Sequence, residues 1–167
     1  MQIAGPKITA CLWFDTQAEE AANFYVSVFK NSRIGKISRY GKVGQDVHGK
    51  KEGSVMTVEF ELGGRAFVAL NGGPIFKFTE AVSFQIFCDT QKEIDSFWNA
   101  LSKGGQEGPC GWLKDKYGLS WQVVPSVLPK MMTDLDPKKS ERVMAAFMKM
   151  KKFDLATITR AYEGETV

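Results

Sequence analysis

The 167 residues are enough for one ordinary domain with a true core, and 44% hydrophobic with 25% charged side chains is the balance of a soluble globular protein. The net charge of +3, spread over 22 basic and 19 acidic residues, argues against a nucleic-acid partner, which needs a basic stripe. No apolar run reaches the roughly 18–20 residues of a membrane span, no signal-peptide pattern opens the chain, and three widely spaced cysteines give no disulfide framework or Cys-x-x-Cys pair. The expectation is a cytoplasmic, reduced protein.

An apolar run over Lys7–Phe14 predicts the first strand. A helix to about Phe29 follows, with Ala18, Ala21, Ala22, Tyr25, Val28 and Phe29 on one face. Between them Thr16-Gln17-Ala18-Glu19 reads as a capping box: the threonine hydroxyl takes an orphan N–H of the first turn, and the glutamate reaches back. A second strand is expected over Arg33–Tyr40. Residues 41–53, with four glycines and many charges, predict a mobile loop. Val55–Leu62 alternates strictly, as a half-buried strand does. Gly63-Gly64 then turns a hairpin into Arg65–Asn71, and Gly72-Gly73-Pro74 breaks the chain.

The order then repeats. Val82–Cys88 predicts a strand, and Asp89-Thr90-Gln91-Lys92-Glu93 echoes Asp15-Thr16-Gln17-Ala18-Glu19 at a distance of 74 positions. The next helix carries Ile94, Phe97, Trp98 and Leu101 at i, i+3, i+4 and i+7 and stops at Gly104-Gly105. A short strand precedes Gly111. A hairpin of Trp112–Lys116 and Leu119–Pro125 then turns at Tyr117-Gly118. The repetition implies a duplicated module; the competing explanation is two unrelated capped helices in one α+β domain.

Beyond Pro125 the pattern is helical and unrepeated. Asp136-Pro137 is a cap followed by proline in the first turn. Val143, Ala146, Phe147 and Met150 form a stripe, and Asp154 caps a last helix with Leu155, Ile158, Thr159 and Tyr162 on one side. The fold class expected is α+β: two βαβββ modules at about 7–73 and 81–125 in a domain over 1–127, then a C-terminal helical extension over 128–167.

The residues with the most distinctive order are Ile8-Thr9-Ala10-Cys11-Leu12-Trp13-Phe14, Glu20-Ala21-Ala22-Asn23-Phe24-Tyr25, Ala69-Leu70-Asn71-Gly72-Gly73-Pro74, Ala81-Val82-Ser83-Phe84-Gln85 and the long run from Cys110 to Pro125. On these the chain resembles the vicinal oxygen chelate superfamily of glyoxalase, bleomycin-resistance and dioxygenase relatives, and more closely its PhnB-like branch, often labelled demethylubiquinone methyltransferase-like. The resemblance covers about Lys7 to Val127. It implies two modules whose sheets curl round a common cavity in a homodimer. It also implies, in metal-using members, four His, Glu or Gln side chains on one divalent ion. Those positions fall here on Thr9, Ser83, Gln122 and either Val68 or Ala69.

Hydroxyls and one amide are poor ligands for a catalytic divalent metal. The single histidine, His48, lies in the glycine-rich loop, and Glu59 and Glu61 alternate with core residues. The metal site is therefore read as lost, with no cofactor expected. A doubly wound methyl-transfer fold would place a glycine-rich loop after its first strand. Asp15-Thr16-Gln17 stands there instead, so methyltransferase activity has no support in the sequence.

Strand phase selects the remaining candidates. If Phe84 and Ile86 pack on the helix, Ser83, Gln85 and Phe87 face the other way, and the same phase exposes Thr9, Cys11 and Trp13. Trp112 and Trp121 suit a core or a ligand wall, and Lys114-Asp115 reads as a turn-side ion pair. Cys11 and Cys88 read as core residues rather than nucleophiles. The ligand cavity expected is thus Thr9, Cys11, Trp13, Ser83, Gln85, Phe87, Trp112 and Gln122, in a metal-free small-molecule-binding protein. The alternative is a metal-dependent lyase, isomerase or oxygenase using Glu59, Glu61, Gln85, Gln122 and His48. The exposed strand edge and the tail stripes add the expectation of a twofold homodimer.

Overall fold

Strict alternation over Val55–Leu62 yields a strand of the same extent, β3, at the centre of the first of two compact units, which meet in sequence between Lys77 and Phe78. The computed structural model describes residues 7–165. The first unit runs β1 (Ala10–Phe14), α1 (Ala18–Val28), β2 (Arg33–Arg39), α2 (Gln45–His48), β3, β4 (Arg65–Asn71). Its sheet has the order β1-β4-β3-β2, parallel between β1 and β4 and antiparallel elsewhere. Leu12, Phe14, Val58, Phe60, Leu62, Phe67 and Ala69 bury one face of it, and Ala18, Ala21, Ala22 and Tyr25 bury the inner side of α1. The Tyr25 ring stacks on Phe60 at 6.2 Å, and Phe60 on Phe67 at 5.3 Å. Each such large side chain, fully buried, contributes about 1.5–3 kcal/mol.

The second unit repeats the order with β5 (Ser83–Cys88), α3 (Gln91–Ser102), β6 (Gln106–Glu107), β7 (Trp112–Lys114) and β8 (Ser120–Pro125). The sheet is β5-β8-β7-β6, again parallel only at β5 and β8. Ile86, Cys88, Leu113, Trp121 and Val123 are buried on the same side as Ile94, Trp98 and Leu101 of α3. The two four-stranded mixed sheets, each with its helix, make the α+β two-module fold that the repeat implied.

Three local details differ from the sequence reading. First, β1 begins at Ala10 rather than Lys7, and Ile8 stays 90% exposed because no strand covers it. Second, Thr16 does not cap α1. That helix starts at Ala18, whose N–H donates to Asn71 Oδ1 at 2.8 Å, while the Asn71 amide donates to the Val55 carbonyl at 3.0 Å. The second capping box forms by half: Thr90 Oγ1 accepts from the Glu93 N–H at 3.2 Å, but Glu93 Oε2 accepts from the Asp89 N–H at 2.8 Å, one residue ahead of the cap's own N–H. Third, the 41–53 segment contains α2, and the His48 ring lies 4.6 Å from that of Tyr40.

Asp115 also corrects an expectation. It is no partner of Lys114 but a buried hub at the β7–β8 turn. It accepts from the Tyr117 and Leu119 N–H groups at 2.9 and 3.1 Å and from Trp121 Nε1 at 2.8 Å.

The tail folds as α4 (Leu128–Met132), α5 (Pro137–Phe147) and α6 (Leu155–Glu163), with Asp136 and Asp154 as the caps of the last two. Its apolar stripes close onto the second unit, where Leu128, Val143, Phe153 and Ile158 cluster with Val124. Gln91 at the start of α3 fastens it: Oε1 accepts from the Leu155 N–H at 2.8 Å, and Nε2 donates to the Phe153 carbonyl at 3.1 Å. Lys152 adds an ion pair to Asp95 at 2.5 Å. Among the described residues no helix is long and apolar enough to cross a membrane.

Candidate functional site

A strand that buries every second side chain against a helix presents the others on the opposite face. In the second unit the register sets those outward residues into rows. Gln85 pairs with Gln122, and Gln122 with Trp112; the neighbouring row is Ser83, Ser120 and Lys114; Phe87 pairs with Val124. Four of the sequence candidates, Ser83, Gln85, Gln122 and Trp112, thus meet on one open face.

Gln122 lies at its centre and makes one bond through each end of its amide, leaving a second N–H and a second lone pair. Its Nε2 donates to Ser83 Oγ at 2.8 Å, and its Oε1 accepts from Gln85 Nε2 at 3.2 Å. Phe87 adds a ring that is 54% exposed. Alongside Trp112 opens a cavity of about 410 Å³ whose wall includes Glu80, Pro109, Leu113, Lys114 and Ser120. That is within the size range of small-molecule sites. Glu80, Lys114 and Ser120 were not singled out as ligand residues in the sequence. The available signal was Ser120, a small polar residue in an apolar strand and in phase with Gln122.

The first unit has an open face of different chemistry. Cys11, Val68 and Glu59 form one row, and Trp13, Leu70, Thr57 and Ser38 the next, closed by a 2.5 Å hydroxyl pair between Ser38 and Thr57. Cys11, expected in the core, is exposed on this face because it alternates with the buried Leu12; partial desolvation still raises its thiol pKa above the usual value, which works against a nucleophilic role. Cys88, buried on the helix side and close to Glu93 and Asp89, is pushed up to about 12. Trp13 is committed to the end of its strand: Nε1 donates to the Gly73 carbonyl at 2.8 Å, and its ring meets Phe76 edge-on at 4.9 Å. A Cβ on Gly72 would lie 2.1 Å from that indole, so glycine is required there. Thr9 is exposed just ahead of β1.

These donors do not fit a catalytic divalent ion. Of the two options for one ligand position, Val68 is on the open face and Ala69 is buried against the helix, and neither carries a donor. Gln122 is a neutral amide bonded to Ser83 and Gln85. His48 Nδ1 accepts from the Lys50 N–H at 2.9 Å, and its Nε2 lies 3.3 Å from the Val43 carbonyl. Glu61 pairs with Arg33 at 2.7 Å. Among the described residues no three His, Cys, Asp or Glu side chains gather where they could hold a metal.

Comparison with known proteins places this arrangement. A family model described as 3-demethylubiquinone-9 3-methyltransferase matches residues 6–124. Among solved structures, the PhnB protein from Bacillus cereus is 39% identical with TM-score 0.62, covering 72% of this chain and 99% of that one. Protein PA1353 from Pseudomonas aeruginosa matches at 18% identity and TM-score 0.58, covering 72% and 98%. The fosfomycin resistance protein FosX from Mesorhizobium loti matches at 12% and 0.52, covering 80% and 100%. The last two show the fold alone. A search of curated proteins finds no match.

Proposed function

We propose a small-molecule-binding role, on the premise that this chain belongs to the 3-demethylubiquinone-9 3-methyltransferase family, the PhnB-like branch of the vicinal oxygen chelate superfamily. In this reading no catalytic metal takes part, and each unit's open face offers its own candidates for a ligand: Thr9, Cys11 and Trp13 on the first, and Ser83, Gln85, Phe87, Trp112 and Gln122 on the second. The observation that supports it is the state of Gln122. At the position where a metal-using relative would present a carboxylate, this chain has a neutral amide tied to Ser83 and Gln85.

Methyl transfer is not part of the reading. A doubly wound cofactor site has glycines after its first strand and a parallel sheet. Here β1 is followed by Asp15-Thr16-Gln17, and each sheet has one parallel pair.

A metal-dependent lyase, isomerase or oxygenase is the second reading, and Glu59 favours it, since its carboxylate shares the open face with Cys11. Elemental analysis after incubation with zinc, nickel, iron or manganese and desalting separates the two. Sub-stoichiometric metal is expected, and one ion per chain would overturn the metal-free reading. A broad thermal-shift library tests binding itself: at least one small molecule should raise the melting temperature, and a flat response would leave only a structural role.

The proposal extends to a twofold homodimer. The open sheet faces and the exposed Leu135, Met144 and Met148 of the tail supply its apolar surface. Light scattering should give twice the chain mass at micromolar concentration, and a monomer mass would contradict the proposal.

A further inference from the structure

The hydroxyl of Ser120 is buried without a hydrogen-bond partner among the described residues, and the residue is 0% exposed. Leaving such a group unpaired costs about 1–3 kcal/mol. The register sets two polar side chains beside it, and each is bonded elsewhere. Ser83, beside it in β5, already accepts from Gln122, and Lys114, beside it in β7, is turned to Glu80. Alanine would be the cheaper residue for packing alone.

Ser120 lines the 410 Å³ cavity together with Lys114, Glu80 and Trp112. The Lys114 side chain is two-thirds buried, and the side chain of its ion-pair partner Glu80 is 62% exposed on a segment that precedes β5. The hydrogen bond from Lys114 holds the Glu80 carboxyl below the usual glutamate range. Glu80 is thus an ionised and largely exposed carboxylate on the cation. Walls of Trp112, Leu113 and Pro109 complete a site with one flat aromatic surface, one cation and one free hydroxyl.

We infer that this cavity takes a small planar carboxylate: its ring lies against Trp112, and its carboxylate displaces Glu80 from Lys114 and accepts the Ser120 hydroxyl. The inference rests on the small-molecule reading above and names the ligand class for the second unit. A charge-assisted bond to the lysine and a hydroxyl bond in a partly dry site favour an anion over its neutral isostere.

Isothermal titration of the full chain with benzoate and indole-3-carboxylate, each beside its primary amide, tests this directly. The acids should bind at least about tenfold more tightly than the amides, a difference on the scale of one charge-assisted hydrogen bond. Ser120→Ala should lose about tenfold in acid affinity while the melting temperature holds or rises. A merely structural serine would leave affinity unmoved. Lys114→Met should remove the preference for acids, and Glu80→Gln should strengthen acid binding by removing the internal competitor. Equal binding of acids and amides, unaltered in the Ser120→Ala and Lys114→Met variants, overturns the carboxylate assignment yet leaves a ligand-binding protein. Binding of neither series overturns it too, and the general reading then falls only if the broad library is also silent.

Discussion

Where β4 ends, the first unit has Asn71 opposite Phe14; at the matching place on β8 the second unit has Pro125 opposite Cys88. Asn71 reaches from the sheet to the first N–H of α1, a bond no proline side chain can make. In the second unit the cap itself is local: Thr90 Oγ1 takes the Glu93 N–H and Glu93 Oε2 the Asp89 N–H, while Ser126 Oγ ties Asp89 to the end of β8 at 2.5 Å. The hairpins differ as well. Gly63 and Gly64 turn the first at positive φ, whereas the Asp115 carboxylate gathers three donors to shape the second. Two copies of one strand order are thus restrained by different residues, and a repeated tetrapeptide marks a helix start without showing what caps it.

The largest effect should come from the second hairpin. Asp115→Ala orphans the Tyr117, Leu119 and Trp121 donors and should cost at least about 3 kcal/mol in urea unfolding. A loss under about 1 kcal/mol would mean that water replaces the hub. Asn71→Ala comes next, at about 2–3 kcal/mol, since it frees the Ala18 N–H and the Val55 carbonyl together. Thr90→Ala should cost about 1 kcal/mol, an ordinary cap, and Thr16→Ala less than about 0.5 kcal/mol. Equal losses at Thr16 and Thr90 would erase the contrast between the units.

The sequence made the strands legible because alternation and helical spacing are local. It did not reveal the Asn71 cap, because that bond joins residues 53 positions apart and only the β1–β4 register brings them together. Ser83, Gln85 and Phe87 followed from strand phase, given only that Phe84 and Ile86 face the helix, whereas Gln122 came from the family resemblance. Ser120, Lys114 and Glu80 were missed as a group. An unpartnered hydroxyl is a property of three-dimensional surroundings, and Lys114 has an acid next to it in sequence but pairs with another one 34 positions away.

The smallest effect concerns acid and the tail. The Thr157 backbone and side chain hold the Asp154 carboxyl below the usual aspartate range, and hydrogen bonds from Tyr162 and the Asp136 backbone do the same for Asp134. A lowered folded-state pKa means that the stabilisation is present above the ordinary aspartate value of about 3.9 and is lost as pH falls through the lowered value. Asp154→Asn should therefore destabilise the chain at pH 7 and much less at about pH 2.5. A pH-independent difference in urea midpoints would show that the cap geometry, not the charge, supports α6.

The central claim is that the open face of the second sheet binds a small molecule through amide, hydroxyl and indole groups rather than through a metal. Side-chain amide and indole N–H signals in a two-dimensional nitrogen–proton NMR spectrum report on it directly, with chelator present and a thermal-shift hit added. The account predicts that the Gln85 and Gln122 amide pairs and the Trp112 indole shift most. The Trp98 indole, bound to Glu107 Oε1 at 3.0 Å on the helix side, should hold still. Shifts that need a divalent metal, or that leave these three side chains unmoved, would contradict it.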